Sequence, residues 1–137
     1  MKSGYESRGY RTTETTVYCC RCHIVFCPRY RKKVLTPQIA KRMKETIEGM
    51  GGDNNFRIIE MEVMPDHVHM LLDIDPAIGI CKAVSRIKGK TSHVLRREYP
   101  ELSRKLPTLW TRSKFIATVG SVSLDVVKAY IENQNSQ

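Results

Sequence analysis

Residues 64–74 read MPDHVHMLLDI. In an extended chain successive side chains point to opposite faces, so every second residue shares one. Val68, Met70, Leu72 and Ile74 then form an apolar stripe, while His67, His69, Leu71 and Asp73 face the other way. The segment before it, Phe56 to Met64, alternates too: Ile59, Met61 and Val63 on one face, Ile58, Glu60 and Glu62 on the other. Met64-Pro65-Asp66 is a tight connection, so the two segments read as a hairpin. If their apolar stripes share one core, Glu60 and Glu62 join the histidine face.

Working outward, Val17 to Phe26 is rich in β-formers and is ended by Pro28. Thr36-Pro37 reads as an N-cap followed by proline at the first helical position. Ile39, Met43, Ile47 and Met50 recur at helical spacing, and Gly51-Gly52 stops the helix. Pro76 opens a second helical region reaching about Tyr99, with Ile80, Val84 and Ile87 on its apolar side and Gly89 expected to break it in two. Residues 102–113 read as a loop, and 114–119 as a fourth strand. Gly120 precedes a last helix, roughly Ser123 to Asn133, with Ser123 as its cap.

The order β-α-β-β-α-β predicts an α+β, ferredoxin-like antiparallel sheet with two helices on one face, plus an extra C-terminal helix. The expectation is one domain over residues 1–137, with a ragged lead at 1–15 and the last helix and tail at 121–137. The composition, 41% hydrophobic and 27% charged, is that of an ordinary globular chain with a modest core. No apolar run approaches the roughly 20 residues that span a bilayer. The polar N-terminus lacks a signal peptide's apolar stretch, and a cytoplasmic location is expected.

Lys and Arg number 23 against 14 Asp and Glu, a net charge of +9 spread along the chain. That balance favours a polyanionic partner, of which nucleic acid is the commonest. Candidate contacts are Arg29, Arg31, Lys32 and Lys33 after the first strand, with Arg86, Lys88 and Lys90 in the second helical region. Cys19, Cys22 and Cys27 with His23 loosely resemble a zinc set, but one strand cannot easily wrap a tetrahedral ion. Reduced, partly buried thiols are expected instead.

Tyr130 and Gln134 lie four apart on the last helix, so they share one side of it. By itself such a tyrosine is ordinary packing. Together with His67-Val68-His69, 61 residues before it, it gives the chain the pattern of the single-tyrosine HUH transposases, which it resembles. The resemblance runs through HIVFCPRYRKKVL (23–35), PDHVHMLLDI (65–74), IKGKTSHVL (87–95), LWTRSKFIATVG (109–120) and YIENQ (130–134). The cysteine cluster at 19–22 departs from the pattern without touching the matched motif.

The resemblance implies cleavage and rejoining of single-stranded DNA at insertion-sequence ends by transesterification. Tyr130 would be the nucleophile, forming a 5′-phosphotyrosine. His67, His69 and Gln134 would hold a divalent cation, Mg2+ or Mn2+. Imidazole ligands suit manganese better than magnesium. It further implies a DNA hairpin as partner and a homodimer, with Gly120 as a hinge that lets the tyrosine helix serve its own or the partner's site. Two alternatives remain: a non-catalytic ferredoxin-like nucleic-acid-binding module, and an HUH replication initiator or relaxase. RNA-recognition modules place aromatics on the open sheet face, and their K/R-G-F/Y run is absent. Initiators and relaxases often carry a lysine on the tyrosine helix or a second tyrosine, whereas Tyr130 is followed here by Gln134. Of the other residues near the motif, Asp66 reads as a turn residue able to orient His67, and Glu60 as an outside candidate for tuning the cation. His23 is the one other histidine able to face the site side, from the first strand, although a packing or surface role is the expectation for it and for His93.

Overall fold

A computed structural model describes residues 9–120 and 131. By contacts the chain sorts into a larger unit, Cys20–Thr118, and a smaller one made of Met1–Cys19 and Val119–Gln137. The smaller unit contains a short hairpin of β1 (Arg11–Thr12) and β2 (Val17–Tyr18), paired Arg11 to Tyr18 and Thr12 to Val17. Its turn closes with the Thr13 amide donating to the Thr16 carbonyl, while the Thr13 hydroxyl accepts from the Thr16 amide at 3.0 Å. Part of the expected lead is thus a strand.

The larger unit holds β3 (Arg21–Phe26), α1 (Pro37–Met50), β4 (Phe56–Met64), β5 (His67–Ile74), α2 (Ile80–Glu98), α3 (Pro100–Lys105) and β6 (Phe115–Thr118). Its four strands lie in the order β4-β5-β3-β6, every pair antiparallel. The α+β class and the β-α-β-β-α-β succession are as expected. One face of the sheet, Cys22, Ile24, Phe26, Val68, Met70, Leu72 and Ile74, is buried in one cluster with Ile39, Met43 and Ile47 of α1 and Val84, Ile87 and Leu95 of α2. Burial of that stripe is the principal favourable term of the fold. The opposite face bears His23, His67 and His69.

Several boundaries differ from expectation, each for a local reason. The first strand is interrupted at Cys19-Cys20, because the Cys20 amide donates to the Asp73 carboxylate at 3.0 Å instead of continuing a ladder. In β4 a bulge between Ile58 and Glu60 reverses the face of what precedes it. Ile58, opposite Leu72, therefore joins Met61 and Val63 against the core, and Ile59 does not. Glu60 and Glu62 keep the histidine face, opposite Leu71 and His69.

Helix α1 matches its reading, with the Thr36 hydroxyl accepting from the Ile39 amide and Gly51 following the last turn. Helix α2 starts at Ile80 rather than Pro76. Asp75 claims the amides of Ala77, Ile78 and Gly79 for a turn first, and Gly79 sits at φ 86°. It then runs unbroken through Gly89, where the buried series Val84, Ile87, Thr91, Leu95 outweighs a glycine's helix penalty of about 1 kcal/mol. Residues 102–113 are not a plain loop. Leu102–Lys105 belong to α3, and Leu106, Leu109 and Trp110 are buried beyond it. The Trp110 indole stacks edge-on against Phe26 and donates to the Thr91 hydroxyl at 3.0 Å.

Candidate active site

β5 begins directly after the Pro65-Asp66 turn, so His67 enters the strand with Asp66 beside it. His67 Nδ1 lies 2.9 Å from Asp66 Oδ1, and Arg31 Nη2 donates to Asp66 Oδ2 at 3.0 Å. The hydrogen bond from His67, then that from Arg31, holds the Asp66 carboxyl below the usual carboxylate range. A carboxylate can only accept, so His67 donates through Nδ1, and in the neutral ring this leaves the Nε2 lone pair for a ligand. The turn residue of the sequence reading is therefore also the orienting partner of the first histidine.

His69 has a partner in His23, for which a packing or surface role is the expectation and the site side the alternative. His23 Nδ1 lies 2.9 Å from His69 Nε2, and the two rings are nearly parallel, 12° apart with centroids at 5.0 Å. His23 sits opposite Leu71, and Val25 opposite His69, which makes His23 the diagonal neighbour of His69 on the same face. Alternation within RCHIVF already turned His23 away from the core. The register that sets it beside His69 is a long-range fact. His93, by contrast, is exposed on α2.

Across the sheet Glu62 stands opposite His69, and Glu60, Glu62 and His69 line an open depression of about 450 Å3. Among the described residues no three His, Cys, Asp or Glu side chains converge closely enough to hold a metal ion. The donor chemistry nevertheless suits a divalent cation that accepts nitrogen. Two imidazoles stand two residues apart on one face, His67 with a lone pair on Nε2, and a third ligand would have to come from elsewhere. Gln134, the expected third ligand, and Tyr130, the expected nucleophile, lie outside the described residues, as does the helix expected over 123–133 apart from Ile131. Gly120, the expected hinge, has φ 89°, a conformation that glycine adopts readily.

The expected DNA contacts fall into two groups. Arg29 and Arg31 follow β3, where Arg29 donates to the Thr108 hydroxyl at 3.3 Å, and Lys32 and Lys33 are exposed beside them. This segment is tethered to the site, because the Leu35 amide donates to the Pro65 carbonyl and Arg31 reaches Asp66. Arg86, Lys88 and Lys90 ride on α2, the helix layer across the sheet from the histidines. Arg86 donates to Asn54 at 3.2 Å. Lys88 is turned inward, its ammonium 2.6 Å from the Thr111 carbonyl, and burial and then Lys114 hold its pKa below lysine's usual range. Half-buried, Lys88 ties α2 to the segment of Thr111 and Ser113. Of the cysteines, Cys22 is fully buried and burial pushes its thiol up to about 11, while Cys81 is exposed.

Residues 16–134, which include this sheet and its paired-histidine face, match the family of IS200-like transposases. The chain belongs to that family. It is 35% identical to the ISDra2 transposase TnpA of Deinococcus radiodurans, across the whole of this chain and 93% of that one. It is 31% identical to the transposase for insertion sequence element IS200 of Salmonella typhimurium, covering 87% of this chain and 79% of the other. Among solved structures, it resembles a candidate transposase from Deinococcus radiodurans R1, with TM-score 0.73, 30% identity, and coverage of 90% and 97%. A REP-associated tyrosine transposase bound to a REP hairpin shares the fold at TM-score 0.57 and 17% identity, covering 89% of this chain and 68% of that one.

Proposed function

We propose that this transposase cuts and reseals single-stranded DNA at insertion-sequence ends through Tyr130, with His67 and His69 as ligands of a divalent cation and Gln134 as the third. The observation that carries the reading is the arrangement of two imidazoles on the open sheet face, with His67 oriented by Asp66. A phenol with a pKa near ~10 is a weak nucleophile at neutral pH, and the phosphodiester's charged oxygens repel it. The cation, when bound, would neutralise that charge and polarise the phosphoryl group.

The chain's own residues supply position. His67 and His69 set where the phosphate sits relative to the sheet, Asp66 and His23 keep the two rings from turning, and Arg31 carries positive charge at the edge of the site. The Tyr130 oxygen attacks phosphorus, and the bond from phosphorus to the 3′ oxygen breaks. The phenolic proton ends on that oxygen, leaving a 5′-phosphotyrosine and a free 3′-hydroxyl. The diester count is unchanged, so a second strand's 3′-hydroxyl can reverse the step without ATP. Two cuts per element and one nucleophile per chain favour a homodimer, and a hairpin near each element end is the expected DNA feature.

The test is incubation with single-stranded DNA bearing the element's ends and Mn2+, followed by denaturing electrophoresis. A protein–DNA adduct that disappears in Tyr130→Phe and after EDTA is expected, with Mn2+ supporting at least the rate of Mg2+. Cutting that is unimpaired in EDTA would overturn the metal role. Adduct formation by Tyr130→Phe would overturn the nucleophile.

A further inference from the structure

The face that carries the histidines continues past them to the far edge of the sheet. Val25 stands opposite His69 on one side and opposite Phe115 on the other, so all three residues share that face. Two strand spacings, about 10 Å, separate the His69 and Phe115 backbones. Phe115 is 59% exposed, whereas its neighbour Ile116 packs against the core. The ring therefore contributes little to the interior.

A single exposed apolar side chain needs no explanation. The surroundings of this one do. Phe115 lines a depression of about 370 Å3 together with Val25, Arg31, Thr111, Ser113 and Lys114. Its described lining thus contains two cations and no carboxylate. Lys88 braces the rim by donating to the carbonyls of Thr111 and Ser113. Arg31 contacts Asp66 through Nη2, and a guanidinium has five N–H donors, so others remain for a second acceptor.

An exposed aromatic side chain and two cations lining one depression match the chemistry of a nucleotide in a single strand, with a base to stack and charged phosphates to hold. The occupant must bring negative charge to Arg31 and Lys114 as well as a flat ring to Phe115, and a single strand of DNA brings both at once. We propose that this depression seats one unstacked base of the DNA strand on Phe115, with Lys114 and Arg31 holding the flanking phosphates. The subsite rests on the reading of the chain as a single-strand transposase and names where that strand runs beyond the histidines. Through Asp66, Arg31 also ties the seated strand to the ring that orients the scissile phosphate.

Binding of a fluorescent single-stranded oligonucleotide to the full chain, followed by anisotropy without divalent cations, separates binding from cutting. Phe115→Ala is expected to weaken binding about tenfold or more, Phe115→Leu to weaken it similarly, and Phe115→Trp to keep it within about threefold. Lys114→Ala should reduce the slope of log affinity against log salt by about 0.7, the value for one single-strand phosphate contact. Duplex DNA should be indifferent to Phe115. Phe115→Leu binding like the parent would overturn the stacking role. Loss of binding that tracks loss of a dimer in sedimentation would assign the depression to a second copy instead. If Phe115→Ala does not fold, the Leu and Lys114 variants carry the comparison. Binding that depends on Phe115 without any tyrosine adduct would sink the cutting reaction and spare the subsite; the converse would sink the subsite alone.

Discussion

Asp66 accepts from two directions, His67 on one oxygen and Arg31 on the other, and so joins the basic segment after β3 to the first site histidine. Losing such a partner lets the ring turn and lowers its basicity, which typically costs 10- to 100-fold in metal affinity. Asp66→Ala is accordingly expected to weaken Mn2+ binding by about that factor in calorimetry, with Asp66→Asn intermediate, while Tyr130→Phe leaves it unchanged. Equal affinity in Asp66→Ala and the parent would mean that His67 needs no orienting partner. His23 is the residue whose place was least legible. Its direction follows from alternation in RCHIVF, yet its 2.9 Å contact with His69 depends on how β3 and β5 are aligned, and the two residues are 46 apart in sequence.

At the scale of elements, the strongest periodic signals carried through. Helix α1 is defined by its cap, its proline and its apolar spacing, and Ile39, Met43 and Ile47 are all buried beneath it. Ile47→Ala should cost about 2–5 kcal/mol of stability, since its site is closed on all sides. Thr36→Ala should cost about 1 kcal/mol through the lost cap. Urea denaturation checks both, and similar losses for the two would contradict the account of α1 as anchored mainly by its apolar face. The weaker readings failed where tertiary packing or a local side chain intervened. Gly89 is carried through by the buried face of α2, and the bulge at Ile59 exchanges two isoleucines whose side chains are equally apolar. Nothing local distinguishes Ile58 from Ile59. Only the pairing with β5 does.

For the whole molecule, the proposed reaction asks for two cuts from chains that each offer Tyr130 as nucleophile, so it calls for a paired arrangement, with Gly120, at φ 89°, as its proposed hinge. Mixing a His67→Ala chain with a Tyr130→Phe chain should restore cutting of single-stranded DNA if the tyrosine of one subunit serves the histidines of the other. Continued inactivity of the mixture, with both chains folded, would assign each tyrosine to its own subunit. Among the described residues no helix is long and apolar enough to cross a membrane.

By itself the sequence determined the β-α-β-β-α-β succession, the hairpin that presents His67 and His69, and the face on which Glu60 and Glu62 lie, because a two-residue period assigns sides wherever an apolar stripe must be buried. The tertiary structure alone decided that His23 meets His69, that Arg31 reaches Asp66, that Lys88 turns inward and that Phe115 shares the histidine face. Each of those depends on register or packing between segments distant in the chain. Periodicity reports which way a side chain points; only the aligned neighbours determine what it meets there.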